Sequence, residues 1–288
     1  MSAAARAPRK ELPAWVLWRD RGGKLSPLRI AILAILFAPA LWLLWDAIQL
    51  NLGPEPLNAA MHETGRWSIR FLIASLAVTP FGRILAWPRL YQIRRMVGLG
   101  ALAWVLLHLV LYLADQNWIV TTAIVEIVKR FYLTIGFVAI AGLAVLGWTS
   151  TDGWMRRLGR RWKRLHRLIF PILVLAMLHA FIQAKSDVSQ EVFLTGLLLW
   201  LLLWRLVPER WQAHFGALAA LTAVSFLATV GIEYLWYALG TNLPAARVAM
   251  ANFDLTFGPR PAVQPSIVAG CFLLLTLLRR LAGRLRAA

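Results

Sequence analysis

The sequence predicts an all-α integral membrane protein, and three features of it carry that prediction. Hydrophobic residues make up 60% of the 288 and the mean hydropathy is +0.64, too apolar for a soluble globular domain. The apolar residues gather in repeated runs of roughly 17 to 25, the length a helix needs to cross a hydrocarbon core. The formal charge of +18 is carried by short loops between those runs. That is the distribution of the positive-inside rule, and it argues against a nucleic-acid-binding surface. Fifteen Trp and five Tyr, many at run ends such as Trp67, Trp87, Trp118 and Trp148, fit aromatic belts at the membrane–water boundaries.

Residues 1–28 form a polar, basic segment with Arg6, Arg9, Lys10, Arg19, Arg21 and Lys24. The run IAILAILFAPALWLLWDAIQL follows. Its ILFAPA stretch matches the apolar region and small-residue cleavage site of a signal peptide. The run nevertheless continues through Trp42 to Leu50, so an uncleaved first span is expected. Residues 51–67 read as a loop with Glu55 and Glu63, and a second span follows near 68–85. A basic loop with Arg83, Arg89, Arg94 and Arg95 leads into a third span at about 96–114. The connection after it mixes Asp115, Glu126, Lys129 and Arg130, and the fourth span, 131–148, has no charge.

The most basic stretch comes next. Arg156, Arg157, Arg160, Arg161, Lys163, Arg164 and Arg167 face only Asp152. A fifth span is expected at about 168–184, a sixth at 192–207, and two more at about 213–239 and 265–282, the last ending in RRLAGRLR. Residues 240–264, with Pro244, Pro259 and Pro261, read as a polar loop. A cytoplasmic N-terminus puts every strongly basic loop inside, giving eight spans with both ends cytoplasmic.

Within this frame two helices repeat a pattern. His108 follows Arg95 by thirteen residues on the third span, and His179 follows His166 by thirteen on the fifth. At about 1.5 Å per residue each histidine lies roughly 20 Å along its helix, well inside the bilayer. Both spans run outward, so the two imidazoles share one depth, somewhat beyond the midplane. A histidine in lipid is costly and normally faces the bundle interior. A matched pair on neighbouring helices is what a b-type haem requires for its two axial nitrogens. Cys271 is the only cysteine, which excludes an internal disulfide, a Cys-ligated iron–sulfur cluster and a C-x-x-C-H attachment. Any haem is therefore held non-covalently, with His108 and His179 as its metal ligands.

His166 sits at the cytoplasmic edge opposite Arg95, so these helices cannot build a second bis-histidine site. A haem propionate, a flavin phosphate, a lipid headgroup or a quinone is within its chemistry, as is a simple interfacial cation. Gly98 and Gly100 on span three, and Gly136 and Gly142 on span four, either admit a macrocycle or serve as small-residue packing points. His62 falls in the first outer loop and His214 near the inner end of span seven, neither with a partner at its depth.

These residues resemble a known family. The carrying segments are LGPEPLNAAMHETGRW, VTPFGR, RRMVGLGALAWVLLHLVLY, TSTDGWMRRLGRRWKRLH and AMLHAF, together covering about 50–185. The chain is similar to the haem-binding membrane subunit of bacterial periplasmic methionine sulfoxide reductase systems, the MsrQ (YedZ) family, within the ferric-reductase-like transmembrane superfamily. The resemblance implies a six-helix haem-binding core at 29–210 carrying haem b, with FMN in part of the family, and cofactor contacts at His108, His166 and His179. It further implies electrons drawn from the quinone pool and passed to a periplasmic molybdopterin-containing, MsrP-like reductase. Sulfoxide reduction would then belong to that partner, and the chain would sit in the bacterial inner membrane. Residues 211–288 extend beyond that core by two transmembrane helices. A ferric reductase or NADPH oxidase-like enzyme would need a nucleotide-binding domain, and no G-x-G-x-x-G in a βαβ context exists here. A cofactor-free transporter or anchor would leave the matched histidines unexplained, although an ionisable pair can relay protons in a transporter.

Overall fold

The computed structural model describes residues 17–19, 23–185, 187–256 and 258–287, with side chains for all but 279–280 and 282–287. The basic residues Arg6, Arg9, Lys10 and Arg21 lie outside the described residues, as do the side chains of the terminal arginines. Every regular element among the described residues is helical.

The chain divides into two units, one ending at Asn51 and the other beginning at Leu52. The first contains α1 (Pro27–Ile48), which opens with proline at its first turn, where the missing N–H costs nothing. In the second, α2 (Pro56–Ile84) again starts on a proline and runs 29 residues. It is followed by α3 (Arg94–Asp115), α4 (Val120–Lys129) and α5 (Phe131–Trp148). The basic stretch then folds into two short helices, α6 (Asp152–Leu158) and α7 (Arg160–Leu165), before α8 (Ile169–Ala184) and α9 (Ser189–Trp204). The chain closes with α10 (Phe215–Gly240), α11 (Ala245–Met250) and α12 (Gln264–Ala287).

All eight expected spans coincide with helices, and five of those helices are long and apolar enough to cross a membrane. The other three fall short for different reasons. Helix α2 carries Glu63, Arg66, Arg70 and Arg83. Helix α9 has 16 residues, about 24 Å of helix against a core of about 30 Å. In α12 the apolar part ends at Leu278.

Three readings change. Residues 240–264, expected as a polar loop, contain the helix α11. Residues 56–67 are helix and not loop, because Pro56 pre-sets the first turn and nothing between it and Trp67 breaks the period. The connection after α3 contains α4, an amphipathic helix with Ile124, Val125 and Val128 exposed and Ala123 buried.

Helices α2, α3, α5 and α8 pack in a ring, with α2 on α3 and α5 on α8 as the tightest pairs and α3–α5 and α2–α8 closing it. This is a four-helix bundle whose diagonals are α3–α8 and α2–α5. Helix α9 packs on α2 and α8, and α10 and α12 pack on α9. A clasp joins this extension to the bundle. Arg83 on α2 donates to Gln212 and lies 3.6 Å from Glu209, and Arg205 donates to the Leu76 carbonyl at 2.8 Å. Gly196 faces Pro265 and Thr229, where any side chain would collide.

Candidate functional site

The bundle brings two of the expected residues together and leaves the third apart. His108 on α3 and His179 on α8 meet across the bundle diagonal, ring centroids 6.4 Å apart and planes at 76°. Each is anchored by its Nδ1 to a backbone carbonyl, His108 to Met61 at 2.8 Å and His179 to Tyr132 at 2.8 Å. A carbonyl only accepts, so Nδ1 carries the proton and Nε2 keeps its lone pair. Neither Nε2 bonds to another described residue.

That spacing can be tested against a metal. Imidazole nitrogens bind first-row metals at about 2.0–2.1 Å, and a ring centroid lies about 1.1 Å behind Nε2, so one ion between two rings puts the centroids about 6.3 Å apart. The observed 6.4 Å fits.

Space for a large planar group lies on both sides of the pair. A cavity of about 480 Å³ opens between α2 and α8, lined by Ile69, Leu72, Val105, Leu143, Ile172 and Ala176 around the two histidines. A second, of about 380 Å³, opens between α3, α4 and α5, where Tyr112, Gln116, Glu126, Arg130 and Tyr132 line it beside the same two rings. Both volumes are in the range of ligand cavities. Beside the rings the first is mainly aliphatic, with a polar rim at His62, Glu63, Arg66 and Asp187, and the second mixes its polar groups with Leu109, Leu133 and Ile140. In the second cavity Arg130 pairs with Glu126 and donates to the Tyr132 hydroxyl at 3.3 Å.

The arrangement repeats itself. Met61, Gly65 and His108 in one half correspond to Tyr132, Gly136 and His179 in the other, each 71 positions on. Both anchoring bonds span 47 residues. Hairpin α2–α3 and hairpin α5–α8 thus supply equivalent half-sites. The same offset pairs Arg95 with His166, where the symmetry breaks. Sequence reading found both histidines but missed Met61, Tyr132 and Gly65. The shared 71-residue offset was a signal that could have found them.

His166 lines neither cavity. Its Nε2 lies 3.1 Å from the Thr149 hydroxyl and its ring stacks on Trp162 at 4.0 Å, while Trp162 donates to the Thr149 carbonyl at 2.9 Å. Thr149, Trp162 and His166 are the T, W and H of the TSTDGWMRRLGRRWKRLH segment, so the motif builds its own cluster at the basic end of the bundle. Arg95 pairs with Asp152 there at 2.5 Å. His62, expected in a loop, sits on α2 at the polar rim of the larger cavity with Glu63, Arg66 and Asp187. His214 packs edge-on against Trp211, away from the pair. Of the glycines expected to admit a macrocycle, Gly142 faces the Ile172 side chain and Gly98 the Ser75 hydroxyl, so both are helix-packing points. Only Gly136 touches the site.

A four-helix ring with part-buried histidines on diagonal helices is the arrangement of a membrane haem-binding bundle, and comparison with known proteins gives the family. The family described as ferric reductase like transmembrane component matches residues 64–177, from α2 into α8. The protein-methionine-sulfoxide reductase heme-binding subunit MsrQ of Xanthomonas oryzae pv. oryzae (strain MAFF 311018) is 42% identical over 165 residues, 57% of this chain and 76% of that protein. The MsrQ subunit of Xanthomonas campestris pv. campestris (strain 8004) is 41% identical over 184 residues, 62% of this chain and 84% of its own. That of Caulobacter vibrioides (strain ATCC 19089 / CIP 103742 / CB 15) is 38% identical over 182 residues, 60% and 84% respectively. No solved structure matches the chain significantly. The chain is a multi-pass membrane protein and belongs to the MsrQ family.

Proposed function

We propose that this chain is the haem-binding membrane subunit of a methionine sulfoxide reductase system, with His108 and His179 as the two axial ligands of one b-type haem. The observation that supports this most directly is the 6.4 Å ring pair with both Nδ1 atoms anchored, which leaves two Nε2 lone pairs for one iron. When bound, the haem supplies a one-electron carrier. The chain's own residues do the rest. His108 and His179 would both hold the haem iron and so leave no open site for oxygen chemistry. The Met61 and Tyr132 carbonyls hold the rings in the ligating tautomer.

Family membership supports the wider reading. Electrons enter from the quinone pool and leave to a periplasmic, molybdopterin-containing MsrP-like reductase, which carries out the reduction of methionine sulfoxide. No side chain here needs to act as a nucleophile or a base toward that substrate. The distribution of basic loops supports a reading with both termini cytoplasmic and the chain in the bacterial inner membrane. Residues 29–210 form the haem-binding core and 211–288 an extension. FMN and His166 belong to this reading as well. Protein partners hold His166 at the basic end, so any cofactor it touches, an FMN phosphate included, lies apart from the iron between His108 and His179.

A reduced-minus-oxidised visible spectrum of the purified protein tests the assignment. A b-type signal is expected in the wild type and in His214→Ala, and its loss is expected in His108→Ala and in His179→Ala. Full haem occupancy in either of the last two variants would overturn the ligand assignment.

A further inference from the structure

Each imidazole of the pair lies against a helix at a glycine. A Cβ on Gly136 would sit 2.8 Å from Nδ1 and 3.0 Å from Cε1 of His179, and one on Gly65 would sit 3.1 Å and 3.2 Å from the same atoms of His108. The first is a collision. The second is tight enough that the ring would have to give.

The glycines also stand in a fixed relation to the anchoring carbonyls. In an α-helix the carbonyl of residue i accepts the N–H of residue i+4, whose side chain leans back toward it. Met61 and Gly65 are one such pair, and Tyr132 and Gly136 are the other. With glycine at i+4 the second lone pair of the carbonyl is open to a ring from the neighbouring helix, and with any other residue the Cβ stands in its way. Both anchoring bonds, 2.8 Å each, use that opening. The other close glycine contacts in the bundle, Gly142 against Ile172, Gly147 against Leu102 and Gly82 against the Tyr91 ring, involve no histidine.

We propose that Gly65 and Gly136 are positioning residues that uncover the Met61 and Tyr132 carbonyls, fix the tautomer and plane of His108 and His179, and so set the 76° angle between the rings and the potential of the iron they hold. The inference rests on the haem reading above and goes beyond it. Ligation needs two histidines, whereas this needs two residues with no side chain, on the other diagonal of the bundle. It also ranks them, with Gly136 the more constrained.

Near-perpendicular imidazole planes on a ferric low-spin haem give a single large-g electron paramagnetic resonance feature, and parallel planes give a rhombic spectrum. The wild type, Gly65→Ala, Gly136→Ala and Gly98→Ala are compared in detergent by haem content, resonance spectrum and reduction potential, with gel filtration to verify folding. Gly98 serves as the control, because its Cβ would meet only the Ser75 hydroxyl at 3.4 Å. Gly136→Ala is expected to weaken haem binding by about 10- to 100-fold, the range for losing an outer-shell partner of a metal-bound histidine. Gly65→Ala should keep more haem yet show a changed resonance spectrum and a shifted potential, and Gly98→Ala should match the wild type. If Gly136→Ala does not fold, Gly65→Ala alone decides. Wild-type haem content, spectrum and potential in Gly65→Ala would refute the inference, as would the same result in a folded Gly136→Ala. If His108→Ala and His179→Ala still lose their haem, the ligand assignment survives that refutation. Retention of haem by those two variants would instead remove the reading on which the inference stands.

Discussion

Replacing Asn252 with alanine should destabilise the C-terminal extension while leaving the histidine pair untouched. Asn252 and Glu233 are each 2% exposed, and the Asn252 amide donates to Glu233 Oε2 at 2.5 Å. It also reaches back to the Val248 and Ala249 carbonyls at 3.4 and 3.3 Å. The other partner of Glu233, Arg260, lies 3.9 Å away, beyond hydrogen-bond range. Asn252→Ala therefore leaves a buried acid with one distant cation, and an unsatisfied buried group costs about 1–3 kcal/mol. For a chain of this size that corresponds to roughly 2–12 °C in Tm, readable by differential scanning fluorimetry in detergent. Adding Glu233→Leu, which removes the group needing a partner, should recover part of the loss. An unchanged Tm in Asn252→Ala would refute the reasoning, and a lost haem signal would show that the extension and the bundle are not separate in this respect.

Three further outcomes are expected. His166→Ala should keep the b-type spectrum while losing about 1–2 kcal/mol from the Thr149 hydrogen bond and the Trp162 stacking; thermal melts and the spectrum read the two effects separately. Arg83→Met should cost about 1–3 kcal/mol in the same melts: the exposed pair with Glu209, at 40% and 84% exposure, contributes little, but the buried Gln212 amide loses the donor to its oxygen. Hydrogen bonds from the Ser189 side chain and backbone N–H hold the Asp187 carboxyl below its ordinary value. Its stabilising effect on the start of α9 is therefore complete above about pH 4, the unfolded carboxyl value, and lost as pH falls through the lower folded one. Hydrogen exchange at the α9 amides should show fraying only on that acid side, and Asp187→Asn should flatten the dependence.

The long apolar helices were legible because their boundaries are chemical. Helix α5 occupies the expected 131–148, with Arg130 before it and Thr149 after. Helix α4 was not, because Glu126, Lys129 and Arg130 read as loop charge, although Val120, Ile124 and Val128 keep a helical period. His108 and His179 could be found from depth alone, since an imidazole at that level must face inward. The groups that hold them could not be named so directly, because a backbone carbonyl carries no residue identity. Gly65 sat in a stretch read as loop, so its value was invisible until α2 was seen to begin at Pro56. The sequence placed His166 at an edge, and the structure explains its presence there by Thr149 and Trp162, residues that lie 17 and 4 positions away along the chain.

Tethering both imidazoles to main-chain oxygens, and not to mobile side chains, makes the site mechanically stiff. Neither ring can swing without giving up its bond to a carbonyl of the adjacent helix, so each is held in place when the charge between them changes. A low reorganisation cost of that kind favours rapid electron hopping over long dwell times, and it comes from the rigidity of the helix backbones themselves.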